Sequence, residues 1–442
     1  MDRTVTTDRT VTADGAVTAD GAVSAVRTAS TTSAGRPLEG IRVVEVAGWM
    51  AAPGAAAMMC DLGAEVVKVE PMRGDPMRGV VRRADLAGDI DPPFQMDNRG
   101  KRGIALALDR PEGQELVRRL ADGADVFLNN LLGRRQQKFG LDADTLLARN
   151  PKLVHATMTG YGLDGPDAAR PGFDITAFFG RGGITQAITE PGSQAPRARP
   201  AQGDHAAALA MLAAVLTALR LVERTGEGQV IDVNLLATAS WTMSSDLSST
   251  LIDGQDPPML GRRGRRHALQ ESFRTADDRW VLLFMPEPHW WPRFCTAVDR
   301  PEWAEDPRFE TVATRFDHMP AITDLMDELF RARPLAEWAS LFDEAGFTWA
   351  PAATLSEVAA DPHAAAVGTF PEIVHPVHGA FRTVALPMTL RGHDLSPRGP
   401  APDLGEHTRA VLAELDLSPD EITRLVADGT VGDGSATQGP GG

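Results

Sequence analysis

The chain has 442 residues, 43% of them hydrophobic and 24% charged, and a formal net charge of −16. That length exceeds one compact core and predicts two lobes. The acidity disfavours a broad nucleic-acid surface but allows one local basic pocket for a phosphorylated ligand. No apolar run approaches the roughly 20 residues that span a bilayer, and Cys60 and Cys295 lie far apart without CxxC spacing, against both a disulfide framework and a zinc site. The expectation is a soluble, cytoplasmic protein with no bound metal, no nucleic-acid partner and no membrane partner.

Residues 1–37 repeat DRTVT at 2–6 and 8–12 and TADGAV at 12–17 and 18–23. This composition buries little, and no basic region followed by an apolar one suggests a secretory signal, so a disordered tail is predicted, with residues 430–442 read likewise. From Gly40 the run GIRVVEVA, a small-residue helix from Pro53 and AEVVKVE form a βαβ unit. Further strands are expected at 103–108, 125–129 and 153–159, with helices at 111–121 and 143–150, an alternation that predicts a parallel sheet covered on both faces. The apolar stretch 205–222 predicts a buried helix, with Gly203 and Asp204 at its N-cap. Residues 245–345 carry Trp280, Trp290, Trp291, Trp303 and Trp338 and several Pro-bounded helices, and read as a smaller domain. β-like text returns at 372–374 and 381–384 and a helix follows from about Gly405, so 38–240 and 350–428 are assigned to one large α/β domain.

The first βα turn, Val46 to Pro53, lacks the GxGxxG spacing of dinucleotide binding. GxxxxGK[ST], HExxH and GxSxG are also absent, and the ten histidines are scattered. Nicotinamide oxidoreductase, hydrolase and metalloenzyme readings have no support.

Six strings remain: PLEGIRVVEVA, APGAAAMMCDLGAEVVKVEP, RGKRGIALALDRPEGQEL, TGYGLDGP (159–166), RTGEGQVIDVNL (224–235) and LGEHTRAVLAELDLS (404–418). In this order and spacing the chain resembles the class III coenzyme A (CoA) transferases from Pro37 to about Leu425. The resemblance implies a Rossmann-like large domain built from both chain ends, a small domain, and a homodimer of two interlocked rings. It also implies transfer of CoA from an acyl-CoA donor to a free carboxylic acid, with acyl-CoA as substrate and no tightly bound cofactor. Asp204 matches the family's nucleophile, which passes through an acyl anhydride and an enzyme-CoA thioester. Taken alone, Asp204 reads as a helix cap, whose position would hold a carboxylate ionised at neutral pH. Asp174 matches a second acidic position facing it, where it would orient groups around the acceptor or shift the Asp204 pKa by repulsion; taken alone it reads equally as a turn cap. Positions matching CoA contacts are Ala51, Arg73, Leu106, Asn130, Leu131 and Lys138. Met50, Ala107 and the run Asn130 to Arg134 depart from the family pattern.

Two rival readings are kept. The α-methylacyl-CoA racemases, which share the fold, carry His-Asp where this chain has Phe173-Asp174, and a phenyl ring cannot take the α-proton. Glu287 matches the acid that supports the racemase histidine, and His205 is a candidate substitute base. The other rival is a non-catalytic CoA-binding protein. The loop 261–267, GRRGRRH, reads either as a basic cover for the site or as a solvated linker, and Trp49 as a lining residue of an acyl pocket.

Overall fold

The computed structural model describes residues 35–79, 90–264 and 267–435, so residues 1–34 of the tail expected at 1–37, and 436–442 of the one expected at the other end, lie outside the described residues. Residues 35–37 are ordered instead, with Arg36 donating to the Asp61 and Ser396 carbonyls at 2.7 Å. Strands β1 (Arg42–Val46), β2 (Glu65–Glu70), β3 (Arg102–Leu106), β4 (Val126–Asn129), β5 (Val154–Thr159) and β6 (Gln229–Asn234) run parallel. β4 and β5 are buried throughout, the continuous apolar text of a sheet covered on both faces. The strand order is β3-β2-β1-β4-β5-β6, so the winding reverses between β1 and β4, where a doubly wound sheet opens a crevice beyond its carboxyl edge.

Helix α1 (Ala51–Asp61) is buried along its whole length, and its Ala and Gly residues allow close approach of neighbours. α2 (Pro92–Asn98) is capped by the Asp91 carboxylate. α3 (Pro111–Asp122), α4 (Gly133–Phe139) and α5 (Ala143–Arg149) complete the crossovers. The long apolar helix α6 (Gln202–Thr225) packs on α1 through Ala207, Ala208, Met211, Leu212, Val215 and Leu219, a stripe of helical period. It is not the fully buried helix expected, because Leu209, Leu216 and Leu221 on its other face stay 37–42% exposed. By length and composition alone α6 is also long and apolar enough to cross a bilayer, although Thr217 and Arg220 interrupt its apolar run.

Two further differences concern short strands. β6 was not legible as a strand because its exposure alternates around half-burial and its text, QVIDVN, mixes signals. Beyond it, β7 (Ser272–Arg274), β8 (Trp280–Leu283) and β9 (Trp349–Pro351) form a three-stranded antiparallel sheet inside text read as helical. This sheet packs into an aromatic core of Phe273, Phe294, Phe330, Trp338 and Phe342. β10 (Glu372–His375) and β11 (Gly379–Arg382) form a hairpin. The chain end then returns to the main sheet, where Val411, Leu412, Ile422 and Leu425 cover the face that holds Phe127. Residues 430–435 do not belong to the disordered tail expected there. Val431–Gly432 form β12, antiparallel to Ala105 and Leu106, and cover what would otherwise be an open sheet edge.

Candidate active site

A cavity of about 760 Å³ occupies the crevice at the carboxyl edge of the sheet. Gly48 and Trp49 enter it after β1, Arg73 after β2, Leu106 to Asp109 at β3, Asn130 to Leu132 after β4, Thr159 and Gly160 at β5, and Asp204 from α6. The switch point is clasped by one side chain. Asn130 Nδ2 donates to the Gly48 carbonyl (2.7 Å) and its Oδ1 accepts from Gly48 N (3.3 Å).

Of the residues matched to CoA contacts, Ala51, Arg73, Leu106, Asn130 and Leu131 line the cavity. Lys138 does not; its ammonium lies 5.9 Å from the Phe139 ring centroid. Arg135, one turn earlier on α4, lines the cavity instead. Sequence alone leaves the phase of so short a helix open, so it does not tell which of two cations three residues apart faces inward. Among the described residues neither Arg73 nor Arg135 makes an ion pair, so both guanidinium groups remain available to an anionic ligand.

Asp204 is not the N-cap. The helix starts at Gln202, and Ala201 caps it in the left-handed region (φ 80°), which places Asp204 in the first turn. Gly203 is required here: a Cβ would come within 2.6 Å of the Phe178 ring. The expectation of a fully ionised carboxylate also fails. Burial, then the repulsion of Asp174, raise the Asp204 pKa to about 7, against a smaller lowering from His205. The field of the helix end, about 0.3–1 kcal/mol, is too weak to offset both. Asp174 opens a π-helical segment (Asp174–Arg181), is 3% exposed, and accepts a hydrogen bond from Ile175 N at 2.7 Å, while its Oδ2 has no partner.

The groups that would serve a racemase are turned elsewhere. His205 Nε2 lies 3.0 Å from Asp97 Oδ1, and this hydrogen bond raises its pKa against the cost of burial. Glu287 accepts from the Trp290 indole at 2.9 Å. Phe173 lines the cavity, with its ring edge-to-face on Trp49 at 5.2 Å. In the basic loop, Arg262 binds Asp327 through both terminal nitrogens and Arg263 pairs with Asp324, which ties these two to a neighbouring helix rather than to the cavity. Residues 265 and 266 of that loop lie outside the described residues.

Beneath the first βα turn lies a buried charge network. Glu45, in the middle of β1, meets Lys68 Nζ at 2.9 Å and Lys101 Nζ at 2.6 Å, with all three side chains fully buried. Lys68 also meets Asp75 Oδ2 at 2.8 Å. Burial opposes the charge on Lys68, but Glu45, Asp75 and Glu70 outweigh it and hold its ammonium above the ordinary lysine range. For Lys101 burial wins over Glu45, and its pKa falls. Asp75 Oδ1 accepts from Trp49 N (3.1 Å) and Met77 N (2.9 Å), fixing Trp49 in a left-handed turn at φ 67°. The sequence carried a signal for this network: a Glu and a Lys centred in VVEV and VVKV are charges inside strands otherwise expected to be buried, and such charges require partners.

Comparison with known proteins matches residues 38–408 to the model of CoA-transferase family III. The chain belongs to that family. This class III CoA-transferase is 30% identical over 391 residues to the (R)-2-hydroxy-4-methylpentanoate CoA-transferase of Clostridioides difficile, covering 88% of the chain and 98% of that relative. It is 32% identical to the succinate–glutarate CoA-transferase of Agrobacterium fabrum, over 86% of the chain and 96% of that relative. The crystal structure of a CAIB/BAIF family protein from Brucella suis superposes with a TM-score of 0.78 at 31% identity, covering 86% of this CoA-transferase and all of that chain.

Proposed function

We propose that Asp204 is the nucleophile of the CoA transfer. Its carboxylate attacks the thioester carbonyl of the donor acyl-CoA, giving an acyl–Asp204 anhydride and CoA thiolate. The thiolate attacks the Asp204 carbonyl of the anhydride, which releases the donor acid and leaves a CoA thioester on Asp204. The acceptor carboxylate attacks that thioester, forming a new anhydride and freeing thiolate. Thiolate attack on the acceptor acyl carbon completes the new acyl-CoA and restores Asp204. No redox or metal step enters this sequence of bond exchanges.

The observation that carries the reading is a first-turn carboxylate exposed to a cavity at the sheet switch point, with the guanidinium groups of Arg73 and Arg135 lining another side of the same cavity. A pKa raised to about 7 still lets Asp204 ionise near neutral pH, and its desolvated state makes the ionised form a stronger nucleophile than an exposed carboxylate. Asp174 acts by tuning that balance. Incubation with acyl-CoA followed by hydroxylamine trapping and peptide mass spectrometry should place the label on Asp204, and Asp204→Ala should abolish it. Label on another carboxylate, or label surviving Asp204→Ala, overturns the assignment.

The homodimer and the division into a large and a small domain belong to the same reading. Trp241, Leu251 and Ile252, close in sequence, are 81–88% exposed, large apolar side chains of the kind that a second subunit covers. The thiols of Cys60 and Cys295 are buried and unpaired, in keeping with a reducing cytoplasm.

A further inference from the structure

We infer that the acid-binding end of the cavity selects apolar, branched or aromatic monocarboxylic acids and rejects dicarboxylic ones, with Trp49 and Phe173 as the selecting residues. The inference rests on the reading of Asp204 as the nucleophile. The strand order separates the two ends of the cavity. Arg73 follows β2, Leu106 to Asp109 follow β3 and Arg135 sits on α4, whereas Met158 to Gly160 belong to β5 and Leu235 follows β6. At about 4.8 Å per strand, β3 and β5 stand four spacings, or roughly 19 Å, apart. Arg73 and Arg135 are thus the cations of the cavity's β2–β4 side, where the phosphates of an extended CoA are met.

Among the described residues, the β5–β6 side, which holds Asp204, has no cation in its wall. It is built from Met158, Thr159, Gly160, Pro171, Gly172, Phe173 and Leu235, with Trp49 reaching over from β1. The charged group it presents is an acid, Asp204, with a second acid, Asp174, buried behind the wall and repelling it. A second carboxylate on a substrate would therefore be placed against two acids and apolar carbon, unpaired and desolvated. A phenyl or branched alkyl body meets instead the Trp49–Phe173 pair, whose rings are 38% and 50% exposed by residue toward the cavity and solvent. Trp49 is no loose surface residue. Its backbone is pinned in the left-handed region by Asp75, itself anchored by the Lys68 ion pair, so the indole is presented in one place.

The test compares two donor–acceptor pairs on the full-length enzyme: 3-phenylpropanoyl-CoA with 4-methylpentanoate, and succinyl-CoA with glutarate. The apolar pair should exceed the dicarboxylate pair in kcat/KM by at least about tenfold. In Trp49→Ala, and separately in Phe173→Leu, that ratio should fall several-fold, the loss expected of one aromatic contact. Because both residues are partly exposed, these variants should retain the wild-type far-ultraviolet circular dichroism and melting behaviour. Equal or faster turnover of the dicarboxylate pair overturns the inference and leaves the Asp204 nucleophile standing. An unchanged ratio in both variants also overturns it. Failure of both pairs, together with no trapped label on Asp204, removes the underlying reading and this one with it.

Discussion

Glu45 and Asp204 lie in the same half of the molecule and are treated in opposite ways. Glu45 is fully buried and has two lysine ammonium groups within 2.9 Å, with Lys68 held further by Asp75 and the Ala47 carbonyl and Lys101 by Pro53, Asp97 and Asn98 oxygens. Asp204 makes no ion pair among the described residues, is repelled by Asp174 more than it is helped by His205, and opens on a cavity. A buried charge whose partners are complete fixes a backbone. A half-buried charge left without partners is poised to react, and the fold bears the cost.

The largest effect that separates these roles is expected at Lys101. Lys101→Met leaves Glu45 with one partner in a dry site and should destabilise the protein by about 3–5 kcal/mol, read from guanidinium unfolding. A loss below 1 kcal/mol would mean that the network is not a structural keystone. Asp204→Asn should do the reverse. The folded-state pKa of Asp204 lies above the usual carboxylate value, so the protonated form suits the fold. The stability this gives is complete below about pH 4 and is lost as pH rises through about 7. At pH 8 the Asn variant should therefore be more stable than the parent by about 1–2 kcal/mol, discounted for partial exposure, and the advantage should vanish by pH 4. A destabilised Asn variant at pH 8 would show that Asp204 has a cation partner after all.

The smallest effect concerns Asp174. Asp174→Asn removes the repulsion that, after burial, helps raise the Asp204 pKa, so the rising limb of kcat/KM against pH should move to lower pH. A limb that stays in place would assign the whole shift to burial and leave Asp174 as a structural residue of its π-helical segment.

Much of this was legible before any coordinates. The βαβ text from Gly40, the helices after Pro111 and Ala143, and Asp204 at the start of a long apolar helix follow from period, punctuation and capping rules. Pairing Asp204 with Asp174 came from family strings, since 30 residues of chain separate them and no local rule joins them. Short strands escaped for a physical reason: β7 has three residues and β12 two, too few to set a period, and they exist because a partner strand is already in place.

By itself, the sequence determined the doubly wound sheet, because alternating buried strands and helices have few ways to pack, and with its resemblance it determined the family. Only tertiary structure decided the state of the nucleophile. Position in a first helical turn predicts an ionised Asp204, but the local field is small beside the desolvation and the second carboxylate that folding brings up against it. The same holds for Arg135 over Lys138 and for Trp49 against Phe173. Which side chains share a cavity is set by the winding of the sheet and the phase of each helix, and neither is written in any one segment.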